Sequence, residues 1–203
     1  MSISRIHEIC DQISELEKKL DAAIEEQSGR LPYQIDGKRV IFNADIEESH
    51  QHAKMGLLRW FMTVRPQNYL TMPFIYGMTV PLLFLDLCVS FFQLLCFPVY
   101  RIPRIKRADY FVMDHRHLAY LNMIEKMHCL YCSYVVGLLA YATEITARTE
   151  QYFCPIKHAR KILGAHSRYE NFLDYGEAER FHEKLQKIRI KLANEAEQEH
   201  KRK

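Results

Sequence analysis

The sequence predicts an all-α membrane protein: a helical hairpin in the membrane, amphipathic coiled-coil-like helices at both termini, and a small β-hairpin near residues 33–42. Three observations predict this fold. Residues 70–97 carry one formal charge, residues 118–147 form a second apolar segment, and both ends of the chain place apolar residues at alternating gaps of three and four. A bilayer core about 30 Å thick needs roughly 20 mostly apolar helical residues, a length that the first segment exceeds.

The N-terminal residues 2–27 have the heptad spacing of a coiled-coil seam. About three heptads are marginally stable alone in water, so this helix needs a partner, either the rest of its own chain or a second copy. The apolar positions that define the seam are Ile6, Ile9, Ile13, Leu16, Leu20 and Ala23.

The segment that follows changes character twice before the membrane region. Asp36-Gly37 lies between two short apolar runs, which is a strong signal for a β-hairpin. The pattern of residues 45–64 then predicts a helix. The second half of this helix is amphipathic, as expected for a helix that lies at the surface of a bilayer.

The first apolar segment, residues 70–97, has basic and aromatic flanks of the kind found at membrane interfaces. Pro73 and Pro81 predict a kink in its first half. Asp86 lies near its middle, and because a carboxylate in hydrocarbon is costly, it needs a partner or a proton. Two interpretations stay open: a membrane span, which we favour, and a re-entrant hairpin that turns near Pro81.

The second apolar segment, residues 118–147, lies in a helix predicted from His115 to Thr149. Its apolar centre is at the short end for spanning a bilayer. We favour a second transmembrane helix, and the alternative is a helix buried in a protein or oligomer interface at the membrane surface. Residues 98–107, between the two segments, contain two prolines and four basic residues, which predicts an extended connector at the lipid headgroups.

The C-terminal region repeats the heptad-like pattern in a helix that begins near Tyr175. A membrane hairpin would bring both termini to one side, and their basic flanks place that side in the cytoplasm. The connector is also basic, and if it too is cytoplasmic, the apolar segments must be re-entrant or monotopic. The predicted regions are residues 1–64, N-terminal and cytoplasmic; 65–153, in the membrane; and 154–203, a cytoplasmic helical tail.

The densest cluster of reactive side chains opens the second segment, and it predicts a metal site as one hypothesis. A CxxC pair with a further Cys and His is a common zinc set, and Glu-x-x-His occurs in helical di-iron centres. A continuous helix would separate Cys132 from Cys154 by roughly 30 Å, so one ion needs a broken helix or a second chain. The candidate ligands of zinc or iron are Glu125, His128, Cys129, Cys132, Cys154 and His158.

A structural interpretation of the same region is favoured over the metal site. Glu125, His128, Glu144 and Arg148 would form a buried polar seam between helices, because polar and small residues often line such interfaces. Glu144 and Arg148 are four residues apart, the spacing of an ion pair on a helix. With Asp86, they are the predicted buried polar residues of the membrane region.

Composition and motifs exclude several classes of function. A net charge of +3 gives no support to nucleic-acid binding, and six cysteines scattered over a long chain do not fit a secreted disulfide framework. The sequence has no phosphate-binding glycine loop, nucleophile elbow or kinase signature. We therefore expect a non-enzymatic subunit or scaffold that contacts the lipid bilayer and binds a second copy or a protein partner through its terminal helices. The alternative is a metal-binding or redox membrane protein.

About half of the chain, residues 65–161, resembles a known group of proteins. The resemblance lies in RPQNYLTMPFIYGMTVPLLFLDLCVSFFQLLCFPVYRIP and in DHRHLAYLNMIEKMHCLYCSYVVGLLAYATEITARTEQYFCPIKHARK. These stretches resemble uncharacterised bacterial inner-membrane proteins of similar length. The resemblance implies a bacterial origin and an inner-membrane location, and it implies no activity.

Overall fold

The computed structural model describes residues 12, 15–20, 22–23, 26, 33–36 and 39–201. The chain divides into two compact units, the first formed by Met1–Gly56 with Asp114–Asn122 and the second by Leu57–Met113 with Met123–Lys203. The described part of the first 26 residues is helical, as predicted. The remaining positions of that predicted helix lie outside the described residues.

The first unit contains the predicted β-hairpin, which the structure confirms. Strand β1 (Tyr33–Asp36) pairs antiparallel with β2 (Arg39–Phe42), with Tyr33 opposite Phe42. Helix α1 (Ala44–Ala53) follows directly. Its His50 ring packs edge-on against Phe42 on one side and Tyr120 on the other, at 5.1 and 5.0 Å between ring centroids.

The single helix predicted over residues 45–64 is instead two helices. Helix α1 ends at Ala53 and α2 begins at Leu57 and ends at Thr63. Lys54, at the end of α1, has extended backbone angles. Gly56 lies in the gap, and glycine costs a helix about 1 kcal/mol relative to alanine, which favours the break.

The first apolar segment forms two helices that follow each other almost without interruption, α3 (Pro66–Gly77) and α4 (Thr79–Tyr100). Pro81 explains where they separate. It has no N–H to donate to the carbonyl of Gly77, four residues earlier, so the hydrogen-bond ladder is broken at that point.

The second apolar segment forms α5 (Met123–Phe153), a single helix that continues through Gly137. The predicted start at His115 is wrong, because Asp114–His117 form a 3₁₀ turn in the first unit. Two helical stretches are long and apolar enough to cross a membrane: Pro66–Tyr100, formed by α3 and α4, and α5. Only 17% and 22% of their respective most apolar windows are buried by the rest of the protein.

The long helices run parallel to each other, which differs from the predicted antiparallel hairpin. The Tyr131 hydroxyl donates a hydrogen bond to the Ile75 carbonyl at 2.9 Å. Further along, Tyr134 bonds Asp86, Tyr141 bonds Gln93, and Tyr152 packs against Tyr100. Sequence numbers rise together along both helices in these contacts, so the helices point in the same direction.

A parallel arrangement requires the chain to return after α4, and residues 101–113, here called the return segment, begin that return. Arg148 donates to the Pro103 carbonyl at 2.8 Å, Gln93 binds Ile105, and Phe111 packs against Tyr134. The segment therefore runs back along both helices. The sequence predicts an extended connector at the headgroups, whereas three of its residues are buried, namely Ile102, Pro103 and Ile105.

The C-terminal helix α6 (Phe181–Lys201) begins later than the predicted Tyr175 and packs antiparallel on the C-terminal half of α5. Arg189 binds the Tyr152 carbonyl, and Glu199 lies 3.6 Å from Arg148. The apolar heptad residues of α6 face the core of their own chain. The core cluster consists of Phe97, Ile102, Ile105, Tyr141, Ile145 and Leu192.

Candidate functional site

The most exposed positions of α4 and α5 carry no charged side chain, and the charged residues of α5 are buried or half-buried. In α4 and α5, which the structure describes throughout, every exposed position carries an uncharged side chain. Both exposed sides point away from the return segment, as the helical spacing of the buried and exposed positions shows. We call this surface the apolar face; its large exposed members are Val80, Leu83, Phe84, Leu87, Phe91, Leu94, Leu95 and Val99 of α4 and Val136 and Leu139 of α5.

The polar residues of α4 point inward, and Asp86 is the centre of the first buried cluster. Arg107 of the return segment donates two hydrogen bonds to the Asp86 carboxylate, the one from Nη2 at 2.7 Å. The Tyr134 hydroxyl donates a third at 2.8 Å, and the Ser90 hydroxyl lies at 3.4 Å. The Arg107 guanidinium also lies 4.0 Å from the ring centre of Phe111, a cation–π distance.

A second inward-facing side chain, Gln93, holds the backbone of the return segment. Its carbonyl oxygen accepts the Ile105 N–H at 2.8 Å, and its amide nitrogen donates to the Ile105 carbonyl at 3.3 Å. The same nitrogen donates to the Tyr141 hydroxyl at 3.0 Å. One buried amide thus satisfies the backbone of a non-helical segment where no neighbouring strand is available, which a buried backbone requires.

Gly137 lets the return segment lie directly against α5. A Cβ atom at this position would be 2.6 Å from the Tyr110 carbonyl oxygen and 3.3 Å from the Phe111 Cα. A side chain there would push the segment away, so the glycine is needed for close packing.

A third polar cluster joins the C-terminal half of α5 to the region that follows it. Glu144 accepts hydrogen bonds from Arg148 at 2.8 Å and from Arg168 at 3.0 Å. Arg168 also donates to Gln151 at 2.7 Å and to Glu195 of α6 at 3.2 Å. These charged groups are paired with one another, as buried charges must be.

The pKa values of two arginines outside the long helices, Arg107 and Arg168, are raised. The pKa of Arg107 is raised, chiefly because its hydrogen bond with Asp86 stabilises the guanidinium ion. Burial by itself would lower the pKa of Arg168, but its hydrogen bond and charge attraction with Glu144 outweigh that, and the pKa is raised. Both arginines are therefore positively charged at physiological pH.

An aromatic cleft of about 310 Å³ lies between α2, α3 and the start of α5. His128 is in its wall, with ring centroids 5.9 Å from Tyr76 and 6.0 Å from Trp60. Tyr131 and Cys132 complete that wall. The imidazole of His128 is therefore packed among aromatic rings.

The residues of the predicted metal site are distributed along α5 and beyond it. Among the described residues, no group of three or more His, Cys, Asp and Glu side chains could hold one metal ion. Cys154 is exposed just after the end of α5, and His158 stacks on Tyr169 at 6.4 Å. Since α5 is continuous to Phe153, its rise keeps Cys132 and Cys154 roughly 30 Å apart.

The sequence identified Asp86 and the Glu144–Arg148 pair but missed Arg107, the partner of Asp86, and Arg168, the second partner of Glu144. Arg107 and Arg168 were part of basic stretches and carried no signal of their own. One signal in the sequence could have found the partner of Asp86. A lone carboxylate in an apolar helix needs a cation to pair with, and the nearest cationic residues follow α4 directly. Choosing Arg107 required knowledge that the segment folds back.

The chain was compared with protein-family models, curated proteins and solved structures. It matches no family model, no curated protein and no solved structure.

Proposed function

We propose that this protein is a non-enzymatic, membrane-associated subunit or scaffold of the bacterial inner membrane, with both termini in the cytoplasm. It assembles through helix packing, and its apolar face contacts lipid. The observation that carries this proposal is the inverted polarity of α4, which turns Asp86, Ser90 and Gln93 inward and only uncharged residues outward.

Inverted polarity favours a lipid environment over water. Water-soluble helices bury an apolar stripe and expose a polar one, whereas α4 buries Asp86 and Gln93 beside Leu82 and Phe97 and exposes only uncharged residues. Soluble monomers rarely expose apolar patches larger than a few hundred Å². The exposed row in α4 runs from Val80 to Val99, along nearly the whole helix.

The buried charged groups support a structural role rather than catalysis. Asp86 accepts hydrogen bonds from Arg107, Tyr134 and Ser90, and Glu144 accepts from two arginines. Each carboxylate is thus engaged in holding chain segments together. Basic flanks and the resemblance to bacterial inner-membrane proteins support the location.

Self-assembly is proposed through the N-terminal helix. Leu16 and Leu20, two positions of its heptad seam, are 64% and 60% exposed. The corresponding apolar residues of α6, Leu185 and Leu192, are buried in their own chain. The N-terminal seam is therefore the one that offers apolar residues to a second copy.

The proposal is tested by membrane association of the full chain. In a Gram-negative host, we expect the protein in the inner-membrane fraction after a high-salt wash, and the purified protein to float with phosphatidylethanolamine–phosphatidylglycerol vesicles. Leu87→Glu removes a lipid-facing leucine worth about 1.5–3 kcal/mol, so the partition coefficient should fall at least about tenfold.

The matched control is Ile190→Glu, which changes an equally exposed apolar residue on α6 (59% exposed, against 67% for Leu87). It should leave partitioning within about twofold, because α6 lies away from the apolar face. Recovery of the wild-type chain as a soluble monomer would contradict the proposal.

A further inference from the structure

From the packing of the return segment and α6, we infer that this protein lies along one leaflet of the membrane and does not cross it. The inference rests on the proposed membrane association and specifies how it occurs. The occupant of the apolar face is the acyl-chain region of the cytoplasmic leaflet, and the return segment and α6 lie in water.

The parallel direction of the long helices is the first argument. Two parallel spans need a connection that crosses the bilayer again, and the return segment begins such a crossing without an α-helix. Residues 106–109 of this segment are exposed, and irregular backbone exposed to lipid does not occur in the hydrocarbon core, because its polar groups would have no partners. A pose along one leaflet needs no such crossing.

The position of the charges on the return segment is the second argument. Ile105 is held beside Tyr141, and Arg107 is bound beside Tyr134, so Lys106 lies at the level of the middle of α5. Lys106 and Asp109 are exposed. A spanning α5 would place these charges near the centre of the bilayer, where such groups are rare.

The charged surface of α6 is the third argument. Leu192 belongs to the same core cluster as Tyr141 and Ile145, and Arg189 and Glu199 contact residues of α5, so α6 covers the C-terminal half of α5. Its outward positions are polar or charged apart from Ile190, and they include Glu183, Lys187, Lys191 and Glu197. In a spanning pose these side chains would lie at membrane depth, whereas along one leaflet they face water.

Length and flanking charge agree with this pose. Helices α3 and α4 cover 35 residues, which is about 50 Å of helix against a hydrocarbon core of about 30 Å. Exposed Arg65 and Arg101 stand at the two ends of this pair of helices. Basic side chains at both ends can contact the anionic headgroups of one leaflet.

Native lysines test the inference without any substitution. A membrane-impermeant N-hydroxysulfosuccinimide ester is applied to intact spheroplasts and to inverted inner-membrane vesicles, and labelling is read by peptide mass spectrometry. Lys126 lies in the first turn of α5, Lys161 lies in the chain that follows its other end, and Lys106 lies at the level of its middle. Labelling after detergent solubilisation sets the full reactivity of each lysine.

We expect all three lysines to react in inverted vesicles and to stay at background in spheroplasts. Labelling of Lys126 and Lys161 from opposite sides, or protection of Lys106 on both sides, would overturn the inference while leaving membrane association intact. Absence of the protein from the membrane fraction would instead overturn the proposed function.

Discussion

Arg107 and Asp86 are 21 positions apart in the sequence, yet Arg107 donates two hydrogen bonds to the Asp86 carboxylate on the most apolar helix of the chain. The pair anchors the return segment between α4 and α5. The segment is held at further points by Gln93, by the close approach at Gly137 and by Arg148. The stability of the whole arrangement should therefore respond to changes at these positions.

Breaking the partly buried ion pair of Arg107 and Asp86 should destabilise the fold. Arg107→Gln leaves the Asp86 carboxylate without its cation, and we expect the free energy of unfolding to fall by about 2 kcal/mol. A fully buried pair would cost roughly 3–5 kcal/mol, but the Arg107 side chain is 45% exposed, so water compensates in part. Denaturant titration in detergent, followed by circular dichroism, measures the change.

The matched control for that experiment is Lys106→Gln, which removes a neighbouring exposed positive charge. It should change the free energy of unfolding by less than about 0.5 kcal/mol, as surface substitutions usually do. If both variants lose the same stability, the effect comes from net charge and not from the Asp86 pair.

The close approach at Gly137 predicts an unequal response of two glycines to alanine. Gly137→Ala should destabilise the protein by about 1–3 kcal/mol, because the added methyl group overlaps the Tyr110 carbonyl. Gly77→Ala has no atom within 4 Å of the new Cβ and should be neutral or stabilising by up to about 1 kcal/mol. Thermal unfolding of the two variants side by side decides this, and equal melting temperatures would argue against the observed path of the return segment.

Loss of the Gln93 amide should destabilise the return segment by removing hydrogen bonds to its backbone. Gln93→Leu keeps the volume but leaves the Ile105 N–H and carbonyl without side-chain partners, a cost of about 1–3 kcal/mol. Amide hydrogen exchange should then accelerate at Ile105 and its neighbours before it does so in α5. Unchanged exchange at Ile105 would show that the clamp contributes nothing.

The N-terminal and C-terminal heptads should behave oppositely when charged. Leu16→Asp with Leu20→Asp should reduce self-association in analytical ultracentrifugation with no loss of thermal stability, because both leucines are exposed. Leu192→Asp should lower thermal stability, because Leu192 is fully buried. An N-terminal double variant that associates as wild type would exclude this seam as the contact between copies.

The metal hypothesis has a direct test in elemental analysis of the detergent-purified protein. We expect no stoichiometric zinc or iron, since the candidate ligands do not converge in the described part of the chain. About one ion per chain, lost in Cys129→Ser with Cys132→Ser, would contradict this expectation. It would also require a second chain to supply ligands, because α5 is continuous.

The sequence by itself determined the local features of this protein. Composition located the apolar segments, Asp36-Gly37 located the β-hairpin, and the four-residue spacing of Glu144 and Arg148 predicted an ion pair that the structure contains at 2.8 Å. Each of these depends on residues close together in the chain, where periodicity and turn chemistry act.

Only the tertiary structure decided the direction of the two long helices, the path of the return segment and the partner of Asp86. Both an antiparallel hairpin and a parallel pair bury the same stripes and satisfy the same apolar pattern. The choice depends on contacts between residues far apart in sequence, such as the hydrogen bonds of Tyr134 with Asp86 and of Tyr141 with Gln93, each across 48 positions. Local pattern carries no information on such pairings, because they form only when complementary polar groups are buried together.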